Sequence, residues 1–256
     1  MKRLGIAFSG GPTASEIVDC VGLAEDLGYE SAWIAEGHGG DQFSILSGCA
    51  AATSKIKLGT AISSVFVRSA PTLAMAAATV DELSKGRLIL GLGSSHKVQV
   101  VPEHGIEYSK PILRLTETVK IIRELIKTGS VEFNGETIKI EKFDLWFKPR
   151  RPQIPIYLAG LFPKMVMTCG EIADGIILTR STLKTADEIQ PHLITGSTVA
   201  GKNPKNIDIT SLLPTAVCET KKEAVGYDAT WINFLCRFFS PIQQAGRFIW
   251  IRTRNC

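Results

Sequence analysis

The run Ala35-Glu36-Gly37-His38-Gly39-Gly40-Asp41 follows directly on Ser31-Ala32-Trp33-Ile34, four residues with the composition of a buried strand. A carboxylate, an imidazole and three glycines pack poorly, and such residues collect where backbone must come close to a ligand. Glu36 could hold a proton or an opposing cation. His38, as an imidazole, could donate a proton to a developing charge. A solvated turn that happens to carry a His is the other reading of the same residues. Further along, Gly91-Leu92-Gly93-Ser94-Ser95 and Gly160-Leu161-Phe162-Pro163 put small residues ahead of a helix or turn, which suits backbone amides that meet phosphate. A G-x-G followed by two serines also makes an ordinary turn. His96 follows the first of these runs, and Arg68 offers a cation to an anionic ligand or simply a surface charge. No pair of histidines has metal-ligand spacing.

These residues need elements to position them. Apolar runs at 4–8, 31–35, 56–62, 87–92, 154–159, 175–178 and 207–217 read as seven strands. Between the first two, Thr13-x-x-Glu16 forms a capping box ahead of Ile17, Val21, Ala24 and Leu27 at helical spacing, and Gly28 closes the helix. Further helices are predicted over 41–53, from Pro71 to just before Gly86, and over 163–173, with an irregular helical stretch broken by Pro191. A longer fourth helix carries Ile112, Leu115, Val119, Ile122 and Ile126 on one face and ends at Gly129. After it, Asn134-Gly135 between two alternating stretches predicts a tight hairpin, an excursion from the repeat. Glu103-His104-Gly105 reads as part of a substrate-facing loop.

Alternating strands and helices in units of roughly 30 residues imply a parallel sheet, either open and doubly wound or closed as an eight-stranded barrel. Ser9-Gly10-Gly11-Pro12 is not the G-x-G-x-x-G that an open dinucleotide-binding sheet carries after its first strand, so a TIM-type (β/α)8 barrel is the predicted fold. In such a barrel the chemistry gathers at the C-terminal ends of the strands. Here those ends are Ser9-Gly10, Glu36 to Asp41, Thr60 to Ser64, Gly93 to His96, Gly160 to Lys164, Thr179-Arg180 and Pro214, a polar and glycine-rich set.

Composition sets the outer limits. A chain of 256 residues with 45% hydrophobic content is long enough for one large core. Lysine and arginine number 29 against 25 acidic residues, a net +4 without a dense basic block, so nucleic acid is not an expected partner. The six cysteines are scattered without C-x-x-C, as buried or free thiols in a reducing compartment would be. With no apolar run long enough to cross a membrane, a cytoplasmic protein is expected.

Four motifs in order carry a family resemblance: Trp33 to His38; Ile56-Lys57-Leu58-Gly59-Thr60-Ala61-Ile62; Leu83-Ser84-Lys85-Gly86-Arg87-Leu88-Ile89-Leu90-Gly91-Leu92-Gly93; and Gly170-Glu171-Ile172-Ala173-Asp174-Gly175. The chain resembles the bacterial luciferase-like superfamily, and within it the methylenetetrahydromethanopterin reductase-like group. The resemblance implies a flavin-type cofactor at the strand ends, either a deazaflavin coenzyme (coenzyme F420) or FMN, and redox chemistry on a small-molecule substrate. Hydride transfer to or from a deazaflavin is the first expectation. An FMN-dependent monooxygenase and a truncated, non-catalytic flavin-binding protein are the alternatives. It further implies a non-proline cis peptide at Ala61-Ile62, which with Ser63 would back the cofactor ring, and contacts to the cofactor tail from Gly93, Ser94, Ser95, Gly160 and Leu161. Relatives place acid-His at the end of the second strand; here Gly37 stands where that His would be, and His38 lies one residue later. His96 falls where relatives often carry an acid. Glu36, His38 and His96 are therefore the candidate catalytic residues.

The resemblance covers residues 1–224, taken as a barrel domain, and leaves 225–256 as an atypical tail. The run Ser240-Pro241-Ile242-Gln243-Gln244-Ala245-Gly246-Arg247-Phe248 looks more like family sequence when read one base later, so a shift of frame near residue 225 is expected. The barrel would then lack its closing strand; if completed, a homodimer is expected.

Overall fold

A computed structural model describes residues 3–179, 181 and 183–213. Seven parallel strands form one curved sheet: β1 (Gly5–Phe8), β2 (Ser31–Ile34), β3 (Lys57–Thr60), β5 (Leu88–Gly93), β8 (Ile156–Ala159), β9 (Gly175–Thr179) and β10 (Asp208–Leu212), paired in that order. A two-residue strand, β4 (Ser63–Ser64), pairs beside β5. Helices α1 (Ala14–Asp26), α2 (Gln42–Ala52), α3 (Ala70–Leu83), α4 (Lys97–His104), α5 (Pro111–Thr128), α6 (Pro163–Ile172) and α7 (Leu183–Val199) alternate with the strands. This is the TIM-type α/β architecture expected from the sequence, with all seven strands found.

The strands bury both faces. Outward residues such as Ala32, Leu58, Leu88, Leu90, Ile156 and Ile176 pack under the helices in one continuous core. Alternate positions point the other way, and Trp33, Ile89, Tyr157 and Ile177 form a second cluster inside the barrel. The rings of Trp33 and Tyr157 lie 5.9 Å apart and tilted. Gly59 makes room for the first of them, since a Cβ there would stand 2.3 Å from Trp33.

Among the described residues nothing pairs with the outer edges of β1 and β10, so the barrel is nearly closed with an unsealed seam. Side chains span it at the N-terminal end: Arg3 Nη1 and Nη2 donate to Asp208 at 2.7 and 2.8 Å, and its Nε donates to Glu30 at 2.8 Å. The expected tail, its shifted frame and the closing strand lie outside the described residues.

Four local expectations change. Leu27 is not part of the buried face of α1; it is the C-cap and exposed, because the chain turns away at Gly28, φ +80°. Residues 97–104 form α4, so Glu103 and His104 lie on its last turn and Gly105, in left-handed conformation, ends it; the long amphipathic helix is thereby the fifth. Pro191 sits inside a continuous α7. The hairpin β6 (Ser130–Asn134) and β7 (Lys139–Asp144) exists, but its turn is not a two-residue Asn-Gly turn. The chain turns across Glu136 and Thr137, because Glu117 of α5 accepts the amides of Glu136, Thr137 and Ile138 at 2.7, 3.0 and 2.9 Å.

Candidate functional site

Because the sheet is parallel, the C-terminal ends of its strands share one rim. The rim is built around the end of β3, where Ala61-Ile62 is a cis peptide, as expected from the motif. There the chain leaves the β3 ladder. Thr60 substitutes for the missing pairing: its hydroxyl donates to Gly91 O at 2.7 Å and accepts from Gly91 N at 2.8 Å. The chain then rejoins β5 through β4, with Ser63 opposite Leu92 and Ser64 opposite Gly93. Ile62 lies over Gly93, where a Cβ would stand 2.9 Å from two Ile62 carbons. Ala61, Ile62 and Gly93 thus form one partly apolar wall.

Gln42, a residue the sequence reading missed, supports that wall from α2. It is buried, its Nε2 donates to Ile34 O at 3.1 Å and reaches Ile62 O at 3.5 Å, and its Oε1 accepts from the Ser63 hydroxyl. The available signal was a polar side chain on the buried face of an uncharged helix.

Glu36 and Arg68 support it from the other side. Glu36 Oε2 accepts Ser64 N at 2.7 Å and its Oε1 accepts Arg68 Nε at 2.5 Å. Both side chains are largely covered, at 17% and 22% exposure. Arg68 Nη2 also pairs with Asp41, the N-cap of α2, and its guanidinium lies 5.2 Å from the centre of the Phe43 ring. Arg68 is therefore committed to two carboxylates instead of standing free for an anion. Burial works against ionisation of Asp41, but hydrogen bonds from Arg68 and Ser44 outweigh it and hold its carboxyl below the usual range. Burial likewise opposes the Arg68 charge, and its bonds to Asp41 and Glu36 prevail and raise its pKa.

The histidines lie further out. His38 is 81% exposed, with Nε2 3.0 Å from Glu103 Oε2, so the loop after β2 touches the end of α4. His96 is the exposed N-cap of α4 and makes no side-chain capping bond to it. Ser94 and Ser95 are half-buried between β5 and α4; Ser95 has φ +54°, and its carbonyl accepts the Tyr108 hydroxyl at 3.3 Å. Gly160 is buried against Cys169 and Met165, and Leu161 is exposed just before α6. The residues predicted from the sequence thus divide into a wall (Ala61, Ile62, Ser63, Gly93), a supporting clamp (Glu36) and an outer ring (His38, His96, Ser94, Ser95, Gly160, Leu161). Among the described residues no group of His, Cys, Asp and Glu is placed to hold a metal, and no helix is long and apolar enough to cross a membrane.

Fold and rim together define a TIM-type α/β barrel whose third strand ends in a non-proline cis bulge at the mouth. The chain belongs to the luciferase-like monooxygenase family, whose model matches residues 3–248. It is 32% identical over 223 residues to the 5,10-methylenetetrahydromethanopterin reductase of Archaeoglobus fulgidus, covering 87% of this chain and 66% of that protein. It is 28% identical over 210 residues to an F420-dependent glucose-6-phosphate dehydrogenase of Amycolatopsis mediterranei, covering 76% of this chain and 63% of that one. Among solved structures, the coenzyme F420 dependent tetrahydromethanopterin reductase of Methanopyrus kandleri superposes with a TM-score of 0.84 at 26% identity, over 91% of this chain and 72% of that one. The chain spans 62 to 66% of the length of three matched reductases.

Proposed function

We propose that this protein is an oxidoreductase that moves a hydride between a deazaflavin coenzyme and a small carbon substrate at the rim of the barrel. The observation that carries this reading is the 32% identity, over 87% of the chain, to a methylenetetrahydromethanopterin reductase. The rim fits such a group. Gly10, Gly11 and Gly37 border open space, where an added Cβ would meet nothing within 4 Å. The wall of Ala61 and Ile62 offers a partly apolar surface to a ring system. Helices α4 and α6 begin beside the ends of the adjacent strands β5 and β8 without side-chain caps, and carry Lys97 and Lys164 in their first turns. The positive ends of these helices and these cations suit an anionic tail lying along Ser94, Ser95, Gly160 and Leu161.

When bound, the deazaflavin supplies the hydride chemistry; the protein supplies binding, orientation and electrostatics. Ala61, Ile62 and Ser63 orient the ring, and Gly93 lets Ile62 approach. His38, open to solvent and held at Nε2 by Glu103, moves the proton that accompanies reaction at the rim. His96, at the start of α4, lies beside the tail-binding residues.

The test is a titration of the purified protein with the deazaflavin coenzyme and, separately, with FMN, followed by absorbance and fluorescence. Saturable binding of the deazaflavin is expected. Tight FMN binding without deazaflavin binding would overturn the reading in favour of oxygen-dependent monooxygenation.

A further inference from the structure

Glu36 sits at the position where a proton-handling acid is the obvious role, yet both its oxygens are spoken for. One accepts Arg68 Nε and the other accepts the Ser64 amide. Ser64 belongs to the short strand that directly follows Ala61-Ile62 and returns the chain to Gly93. The amide of the next residue, Val65, donates to Gly93 O at 3.1 Å. Arg68 cannot readily release Glu36, because it is tied at the same time to Asp41 at the start of α2 and lies over Phe43. A charge-assisted bond of this type, largely shielded from water, is stronger than one between neutral groups and fixes the amide it holds.

We propose that Glu36 is a positioning residue and not a proton carrier: clamped by Arg68, it fixes the Ser64 amide and with it the Ala61–Ser64 wall against β5. The assignment rests on the deazaflavin reading for what the wall is for, but not for the clamp itself. Arg68 is the second member of the device. It holds the carboxylate in the one orientation that reaches Ser64, and so it acts through Glu36 without touching a ligand.

The test uses the full chain with Glu36→Ala, Glu36→Gln and Arg68→Gln. Hydrogen exchange at the Ser64 amide is read on the protein alone, with α5 amides reporting that the fold is intact. Losing the bond predicts exchange about tenfold faster in Glu36→Ala and Arg68→Gln, and a smaller rise of about threefold in Glu36→Gln, whose single side-chain oxygen can still accept the amide but only by giving up the bond from Arg68. Affinity for the deazaflavin, read by fluorescence, is expected to fall about tenfold in Glu36→Ala and to stay within about threefold in Glu36→Gln, with an unchanged pH profile of turnover. Ser64 exchange at the parent rate in both Glu36→Ala and Arg68→Gln would overturn the proposal. So would a Glu36→Gln protein that binds the coenzyme normally but turns over about a hundredfold more slowly, the behaviour of a lost proton carrier. If the parent protein binds no deazaflavin, it is the functional reading that fails, and the exchange result alone decides the role of Glu36.

Discussion

The Ile62 side chain lies directly over Gly93, so close that a single added carbon at Gly93 would stand 2.9 Å from both Cγ1 and Cδ1 of Ile62 and 3.3 Å from Ala159 Cβ. Ile62, after β3, and Ala159, at the end of β8, therefore leave space for hydrogen and nothing larger. Gly93→Ala must displace Ile62. Overpacking of this kind costs about 1 to 3 kcal/mol, measurable by denaturant unfolding. Ile62→Ala in the same chain should recover part of that loss, a positive coupling in the double-mutant cycle. Losses that simply add would show that Ile62 is not what Gly93 accommodates.

What could be read in the sequence was what depends on near neighbours. The Thr13-Glu16 capping box is present in full, with Glu16 N donating to Thr13 and Thr13 N to Glu16, because all its parts lie within one turn. Gly129 ends α5 at φ +84°, as its position predicts. Strands were visible as apolar runs, since a strand buried on both faces needs nothing else. The supports of the rim were not visible. Glu36 meets Arg68 across 32 residues and Gln42 meets Ile62 across 20, and no local pattern marks such pairs. The family motif located the cis bulge; it did not indicate that three polar side chains hold it from behind.

The hairpin turn was misplaced for the same reason, and it gives a second prediction. Glu117 is buried, and although burial works against its charge, bonds from the Thr137 hydroxyl and three amides hold its carboxyl below the usual range. Gly135 is required beside it, since a Cβ there would stand 2.5 Å from Glu117 Oε1. Glu117→Ala leaves those donors without their acceptor and should cost about 1 to 3 kcal/mol. Exchange at the amides of Glu136, Thr137 and Ile138 should accelerate more than exchange in α5. Equal acceleration in both would mean that the carboxylate stabilises the helix and not the turn.

His38 tests the proton-handling step separately from folding. It is mostly exposed, and its contact with Glu103 is of the kind that contributes less than about 1 kcal/mol. His38→Ala should therefore unfold at nearly the parent temperature and bind coenzyme with nearly the parent affinity. Turnover should fall by about a hundredfold or more if the imidazole moves the proton. Unchanged turnover would remove His38 from the reaction and leave it as a residue of the loop after β2 that touches α4.

Glu25 gives the clearest dependence of stability on pH. Its carboxylate accepts the amides of Ile56, Lys55 and Ser54 and the Ser54 hydroxyl, joining the C-terminal end of α1 to the turn before β3. Burial tends to raise its pKa, but these bonds prevail and push it down from the ordinary 4.5 to about 2. The folded protein thus binds this proton more weakly than the unfolded chain does. The stabilisation is full above pH 4.5, where both states are ionised, and is lost as the pH falls toward 2, where only the unfolded chain gains the proton first. Glu25→Gln removes the titration and keeps one acceptor oxygen. The parent protein should be the more stable of the two at neutral pH, by a constant margin down to about pH 5, and the margin should shrink on further acidification. Urea unfolding at a series of pH values measures it, and a margin that stays constant down to the acid end would show that this carboxylate is not held by the turn.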